Sequence, residues 1–528
     1  MLKKLNVSNR LVSAINIVFF GLITYIALTV GILTLINASF FGEDFNEDFP
    51  FYQGFLRMLL PPVFFAAIIQ FFLHFSRAIC TGKFKRLDER SFNTRVLLIG
   101  VGIILVIQLV VVSFLIMNPV TDSRRLEIYA KKIVTDGSLE CMNTDFNERY
   151  IVWFQNNIPT LLVYCLIYKL TYMLTGTFTR IPMVIFNTLC INLAVLFTVL
   201  TSRRIFGGRK AVITLALCAF FAPFYTYTPY FYSDTFSIPM VMGTIYTFVR
   251  ATQTESRIKK ALLFAASGAM CFIGFELKGS VIILFIAIII YLPLRYGIRR
   301  AAKSAGAFVL SFVVLFASWS AVWKSVNPIS EEVSDKYQFP VIHWVMMGLN
   351  YEGTFSEDDF DYTANFPTMT ERVNGDADEI KRRISDYGPV GLADHVFFKM
   401  SGTYHDGTYN ISHYIEFPER HTFLHDIIIK WEPYRFGFFA YSHAYHFFLF
   451  FVMGYSGLAA FKKRRKSVTA LFRLVILGAM AFFVIWETNP RYLCNYTPIY
   501  LLLATEGLTE SVNLKEKYLK WRASKKAA

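Results

Sequence analysis

The chain has 528 residues, 55% of them hydrophobic, 17% aromatic and only 17% charged, with a positive mean hydropathy and a formal net charge of +15. That composition excludes a water-soluble core and describes a polytopic membrane protein. The basic residues come in short clusters between apolar spans, which matches the basic bias of cytoplasmic loops and excludes a nucleic-acid surface, and the seven cysteines follow no metal or disulfide spacing and read as packing residues.

Residues 1–10 and the apolar run behind them imitate a secretory leader, but the run from 13 to 37 is too long for one and reads as a retained anchor. Further apolar spans fall at 58–78, 96–118, 183–202, 211–229, 236–249, 261–277, 281–294, 306–324, 437–460, 469–486 and 495–509. A thirteenth, 152–174, carries Gln155, Asn156, Asn157, Pro159 and Lys169. Basic clusters at 3–10, 83–95, 203–210, 250–260, 295–303 and 462–466, with the tail after Leu514, all stay cytoplasmic only if 152–174 does not cross. The expected fold is therefore an all-α polytopic membrane protein with about twelve transmembrane helices, both termini cytoplasmic, and 152–174 as an outer juxtamembrane or re-entrant helix.

This arrangement divides the chain into a two-helix extension at 1–95, a transmembrane core at 96–324 with its first outer loop at 119–182, a mixed outer subdomain at 325–436 and C-terminal helices at 437–528. The outer face also takes the acidic loop 43–48 and the turns 230–234, 275–280 and 487–495. Within the subdomain, Glu352, Glu357, Asp358, Asp359 and Asp361 read as a solvated acidic loop, and an amphipathic helix over 377–387 ends at Gly388-Pro389.

The first outer loop opens with Asn118-Pro-Val-Thr-Asp122. Pro119 stops the preceding helix, and Asp122 is placed to cap a new one. Leu126, Tyr129, Ala130 and Ile133 then share one helical face, so the segment reads as a helix lying on the membrane surface.

Spans 236–249, 261–277 and 281–294 extend roughly 21–26 Å at helical rise, less than the hydrocarbon core of about 30 Å. Their outer ends, with Asp234, Glu276 and Lys278, sink below the surface, where charges need a wet cavity or a partner. A sunken cation can neutralise a departing phosphate, and a carboxylate can take a proton from an attacking hydroxyl. Asp122 and Asp234 can each be a catalytic group or a helix cap, and Lys278 a phosphate ligand or a snorkelling side chain. Arg491 starts an inward span from outside, which suits phosphate binding or interfacial anchoring. The Tyr225/Tyr227/Tyr230/Tyr232 run reads as an interfacial aromatic belt, and His343 and Trp344 as packing residues that could also contact a sugar or acceptor.

Several stretches resemble the GT-C membrane glycosyltransferases, near the protein O-mannosyltransferase-like and bacterial polyprenyl-phosphate-sugar-dependent branches. They are Thr121-Asp-Ser with Ile128-Tyr-Ala130, Trp153-Phe-Gln-Asn-Asn-Ile158, Arg203-Arg-Ile-Phe-Gly207, Tyr227-Thr-Pro-Tyr-Phe-Tyr-Ser-Asp234, Leu277-Lys-Gly279, His343-Trp-Val-Met-Met-Gly-Leu349 and Asn489-Pro-Arg-Tyr492. The resemblance spans about residues 96–509 and leaves out the first two helices. It implies a GT-C-like fold and transfer of a sugar from a polyprenyl-phosphate-linked donor to a hydroxyl of a cell-surface glycan or polymer, on the outer face and with inversion. It casts Asp122 as base, Asp234 as the second acidic residue, and Lys278 and Arg491 as ligands of the lipid phosphate; beside them Glu276, Tyr232, His343 and Trp344 are the candidates for a sugar or acceptor contact. Many members carry two adjacent acidic residues in the first loop, whereas Ser123 follows Asp122 here, so the resemblance fixes no cofactor and leaves a divalent metal, magnesium or manganese, open. The competing classes are a flippase or transporter of lipid-linked sugars and a non-catalytic scaffold of polysaccharide assembly.

Overall fold

The computed structural model describes residues 2–36, 51–82, 84–429, 435–463 and 467–527. The acidic loop 43–48 and residues 464–466 of one basic cluster lie outside these. All regular structure among the described residues is helical, apart from one isolated bridge between Met117 and Pro418. The helices that matter below are α1 (Leu2–Ile36), α2 (Phe51–Cys80), α3 (Arg90–Phe114), α4 (Thr121–Asp136), α5 (Ile158–Thr175), α6 (Ile181–Phe206), α7 (Gly208–Ala219), α8 (Ser233–Thr252), α9 (Arg257–Leu277), α10 (Ile282–Tyr296), α11 (Ile298–Val326), α12 (Ile342–Met347), α13 (Glu357–Ala364), α14 (Met369–His405), α15 (Arg435–Lys463), α16 (Thr469–Ile485) and α17 (Thr497–Ala527).

Among the described residues nine helical stretches are long and apolar enough to cross a membrane, in α1–α3, α5, α6, α9–α11 and α15, with α16 a shorter apolar helix. The twelve expected spans therefore take several forms. The 211–229 span is broken: α7 ends at Ala219, and Pro223, which has no N–H to donate, opens a separate turn. The chain still returns alongside α6, because Asn187 near the start of α6 donates to the carbonyls of Tyr227, Thr228 and Tyr230 at 2.9, 2.9 and 3.2 Å. α8 and the first half of α17 are enclosed by other helices, so they carry polar residues such as Ser237, Thr244 and Thr505 that a lipid-facing span would not.

α5 is apolar enough to cross by length alone, yet both its ends are tied to one side of the bundle. Asn157 at its start bonds Tyr150 and Tyr232, and Arg180 beyond its end bonds Glu127 of α4 and Asn118 just after α3. α4 buries Leu126, Tyr129, Ala130 and Ile133, but against protein, with α5 as its main neighbour. Glu127 is buried too, and Arg180 and Lys131 compensate its charge.

Among its described residues the 325–436 region is helical, not mixed, apart from the bridge at Pro418. α14 begins at its Thr368 cap, earlier than the pattern predicts, and is two helices meeting at Gly388 (φ 58°, ψ −178°), where the first ends as expected. The acidic run is not a solvated loop throughout: Asp359 is buried against Arg383, which also binds Glu379. Arg372, almost fully buried, donates to the carbonyls of Asp335, Lys336, Phe366 and Gln338 and so cross-links the region.

The spans also hold a charge pair that the pattern of basic clusters conceals. Arg473 of α16 binds Glu506 of α17 and reaches Ser456 of α15 and Asn16 of α1 at 3.0 and 3.3 Å, tying four helices together. Elsewhere contact is set by small residues, since a Cβ on Gly507 of α17 would run into the Val452 carbonyl of α15. Gly507→Ala is therefore expected to lower stability by about 1–3 kcal/mol, read as thermal unfolding in detergent, and an unchanged midpoint would contradict this packing.

Candidate active site

Four separate elements converge at the end of the bundle that carries α4. Asp122 lies in the first turn of α4 without acting as its cap: the capping position is Val120, and the Asp122 carboxylate instead accepts from the Tyr150 hydroxyl at 2.9 Å. Thr121, just before it, is held at φ 48°, a left-handed conformation that is costly for a β-branched residue. Three consecutive left-handed residues, Asn147, Glu148 and Arg149, lead into Tyr150. The backbone on both sides of this hydrogen bond is thus held out of its ordinary regions.

Asp234 is not a cap either. Tyr232 and Thr235 form the capping box of α8, and Asp234 is fully buried, bound to the Lys278 ammonium and 3.2 Å from Arg491 Nε. Lys278, at the end of α9, therefore turns inward to a carboxylate and does not snorkel; its Nζ also lies 4.4 Å from the centre of the Tyr492 ring.

Arg491 links the two acids. It sits in a short helical turn over Pro490–Asn495, braced by Asn489, whose side chain accepts from the Arg491 amide. One terminal nitrogen donates to Tyr230 Oη at 2.7 Å and the other stands 3.8 Å from Asp122 Oδ2, wide for a hydrogen bond. The guanidinium is walled by the rings of Tyr230, Tyr232, Tyr414 and Tyr492, at 4.8–5.9 Å from their centres. Burial opposes its charge, but Tyr230, Tyr414 and Asp234 around it raise its pKa, so it stays a cation. Asp122, with a third of its side chain exposed, is the open edge of the cluster, while Asp234 and Arg491 form its floor.

The tyrosine run is not an interfacial belt. Tyr227, Tyr230 and Tyr232 are buried, donating to Tyr409, lining Arg491 and bonding Asn157, respectively. They point inward because the broken return after α7 folds this stretch under the site. Two other expected contacts are not brought in. Glu276 bonds the Trp319 indole of α11, and His343 of α12 is buried against Thr363 of α13, with burial lowering its pKa to about 4. Trp344 acts at one remove: its carbonyl accepts from the Glu487 amide at 2.9 Å, and its ring stacks on Trp486.

The model of the conserved hypothetical integral membrane protein family matches residues 4–512. The chain belongs to that family. No curated protein sequence matches it. Among solved structures, ArnT from Cupriavidus metallidurans in the apo state is similar at 14% identity and a TM-score of 0.37, over 79% of this chain and 78% of that one. The archaeal oligosaccharyltransferase AglB from Archaeoglobus fulgidus, in complex with an inhibitory peptide and a dolichol-phosphate, is similar at 13% identity and a TM-score of 0.42, over 83% of this chain and 52% of AglB. ArnT bound to undecaprenyl phosphate gives 12% identity and a TM-score of 0.34.

The sequence reading passed over several members of the site in this integral membrane protein. Tyr150 and Asn157 fix Asp122, Tyr414 of the outer region covers Arg491, and Glu487 with Tyr492 forms the far wall. Glu487 shares an outer turn with Arg491, the one sequence signal that could have marked it. A divalent metal can be tested against these donors. Asp234 faces two cations, Asp122 faces Tyr150 and Arg491, and among the described residues no group of three or more His, Cys, Asp or Glu stands together. Two carboxylates with a guanidinium already between them do not fit a bound metal. The activity of the protein is accordingly expected to change by less than about twofold on EDTA treatment; loss restored by magnesium or manganese would contradict this assignment.

Proposed function

We propose that this protein is a membrane glycosyltransferase that moves a sugar from a polyprenyl-phosphate donor to a hydroxyl of a cell-surface glycan or polymer on the outer face. The observation that carries the reading is the meeting of Asp122, Arg491, Asp234 and Lys278, which pairs a reachable carboxylate with two sunken cations. The acceptor hydroxyl gives its proton to Asp122, and its oxygen forms a bond to the anomeric carbon. The bond from that carbon to the phosphate oxygen breaks on the opposite side, with inversion, and the electron pair leaves on the lipid phosphate. Lys278 and Arg491 meet the charge that develops there. Asp234 holds both cations in place at a depth where they would otherwise be costly. Tyr150 holds Asp122 by Oδ1, and Oδ2 stands 3.8 Å from Arg491. The GT-C resemblance of the motifs points to the same donor class.

The test is the surface-glycan composition of cells lacking the protein, set against cells carrying the wild type. A sugar missing from a surface polymer and restored by the wild-type chain is the expected result. Unchanged glycans, with a lipid-linked sugar translocated by purified protein and no product formed, would favour a transporter instead.

A further inference from the structure

The contacts of the cluster join three carboxylates to two cations. Its two cations, Lys278 and Arg491, already face two carboxylates, Asp234 and Asp122. A third carboxylate, Glu487, is 7% exposed in the same pocket wall and has no ion-pair partner among the described residues. Both its oxygens accept from the Tyr492 hydroxyl, at 3.1 and 3.0 Å. The ring of that tyrosine carries the Lys278 ammonium on its face and lies beside Arg491. Glu487 is fixed from behind: its amide donates to Trp344, and the next amide, Thr488, donates to Gly353. It is thus a rigid carboxylate one tyrosine away from both phosphate-binding cations.

With Glu487 ionised the five groups joined by these contacts carry three negative and two positive charges, Lys399 beyond them balances the sum, and a bound phosphate would add a further negative charge to a buried site. With Glu487 neutral the first four groups balance, and the phosphate enters a neutral cluster. We propose that Glu487 takes up a proton when a polyprenyl phosphate binds, so that the anion replaces a buried negative charge and does not add to one. This rests on the lipid-phosphate reading above and names how that site is regulated. The surroundings favour it. Burial first, and the negative charge of Asp122 with it, hold Glu487 up at about 7, against the lowering effects of Tyr492, Arg491 and Lys278. Lys399 of α14, which donates to the Gly348 and Val484 carbonyls, is the remaining charged group acting on it. A proton can therefore enter or leave Glu487 within the working range, and a nearby anion moves that equilibrium toward the protonated form.

The experiment uses the full chain in lipid nanodiscs and undecaprenyl methyl phosphate, a phosphodiester that does not itself titrate near neutrality. Wild-type affinity is expected to fall about tenfold from pH 6.5 to pH 8.5, and Glu487→Gln to bind with the acid-form affinity throughout. Calorimetry of the wild type at pH 7.5 in two buffers of different ionisation enthalpy should show proton uptake on binding, which does not depend on how the variant folds. An equal pH slope in both proteins, or no proton uptake by the wild type, would overturn the role of Glu487 while leaving the phosphate site standing. No binding at any pH would overturn the lipid-phosphate reading and this inference together.

Discussion

Asp122→Asn is expected to lower sugar transfer by about a thousandfold or more while leaving the protein folded, since a positioned general base contributes on the order of 10²–10⁴. Asparagine has the same shape and still accepts from Tyr150, so the bond that orients residue 122 survives. It cannot take a proton from the acceptor hydroxyl. Because Asp122 is the half-open edge of the cluster and 3.8 Å from Arg491, losing its charge costs the fold little. The measurement is transfer from a polyprenyl-phosphate sugar by purified protein, alongside complementation of surface glycan in cells lacking it. Turnover near the wild-type rate in Asp122→Asn would remove the base from the mechanism.

Arg491 carries the second large effect, and here function and stability separate. Arg491→Met leaves Asp234 buried with Lys278 alone and Tyr230 without its donor, so a loss of about 3–5 kcal/mol is expected, as for other broken buried pairs. Combining Arg491→Met with Asp234→Asn also strips Lys278 of its carboxylate, so the double variant should recover neither stability nor transfer. Arg491→Lys keeps the charge but cannot span Tyr230, Asp234 and Asp122 with one planar group. It should fold and lose about ten- to a hundredfold in phosphate affinity. Thermal unfolding and lipid-phosphate binding on the three variants check the pattern. A stable Arg491→Met single variant would mean that Asp234 finds its compensation elsewhere.

The linear chain determined what depends on local composition and period. Hydropathy over 528 residues, with charge confined to short clusters, established a helical membrane protein, because an apolar span must satisfy its backbone internally and a helix does so within one segment. The same logic singled out Asp234, Glu276 and Lys278, since a charge at the end of a short span needs a reason to be there, while capping preference and motif resemblance marked Asp122 and the basic start of an inward span marked Arg491. What those residues do to one another was decided by tertiary structure alone. The capping signals at Asp122 and Asp234 were real preferences of the isolated segments, but both lost to partners 28 to 257 positions away, Tyr150 for the first and Lys278 and Arg491 for the second. The tyrosines after α7 likewise have the composition of an interfacial belt, and only the broken return of the chain turns them onto Arg491. Glu487 stood out least, because burial and the count of surrounding charges make it distinctive, and both are properties of the assembled pocket, not of the residues next to it in the chain.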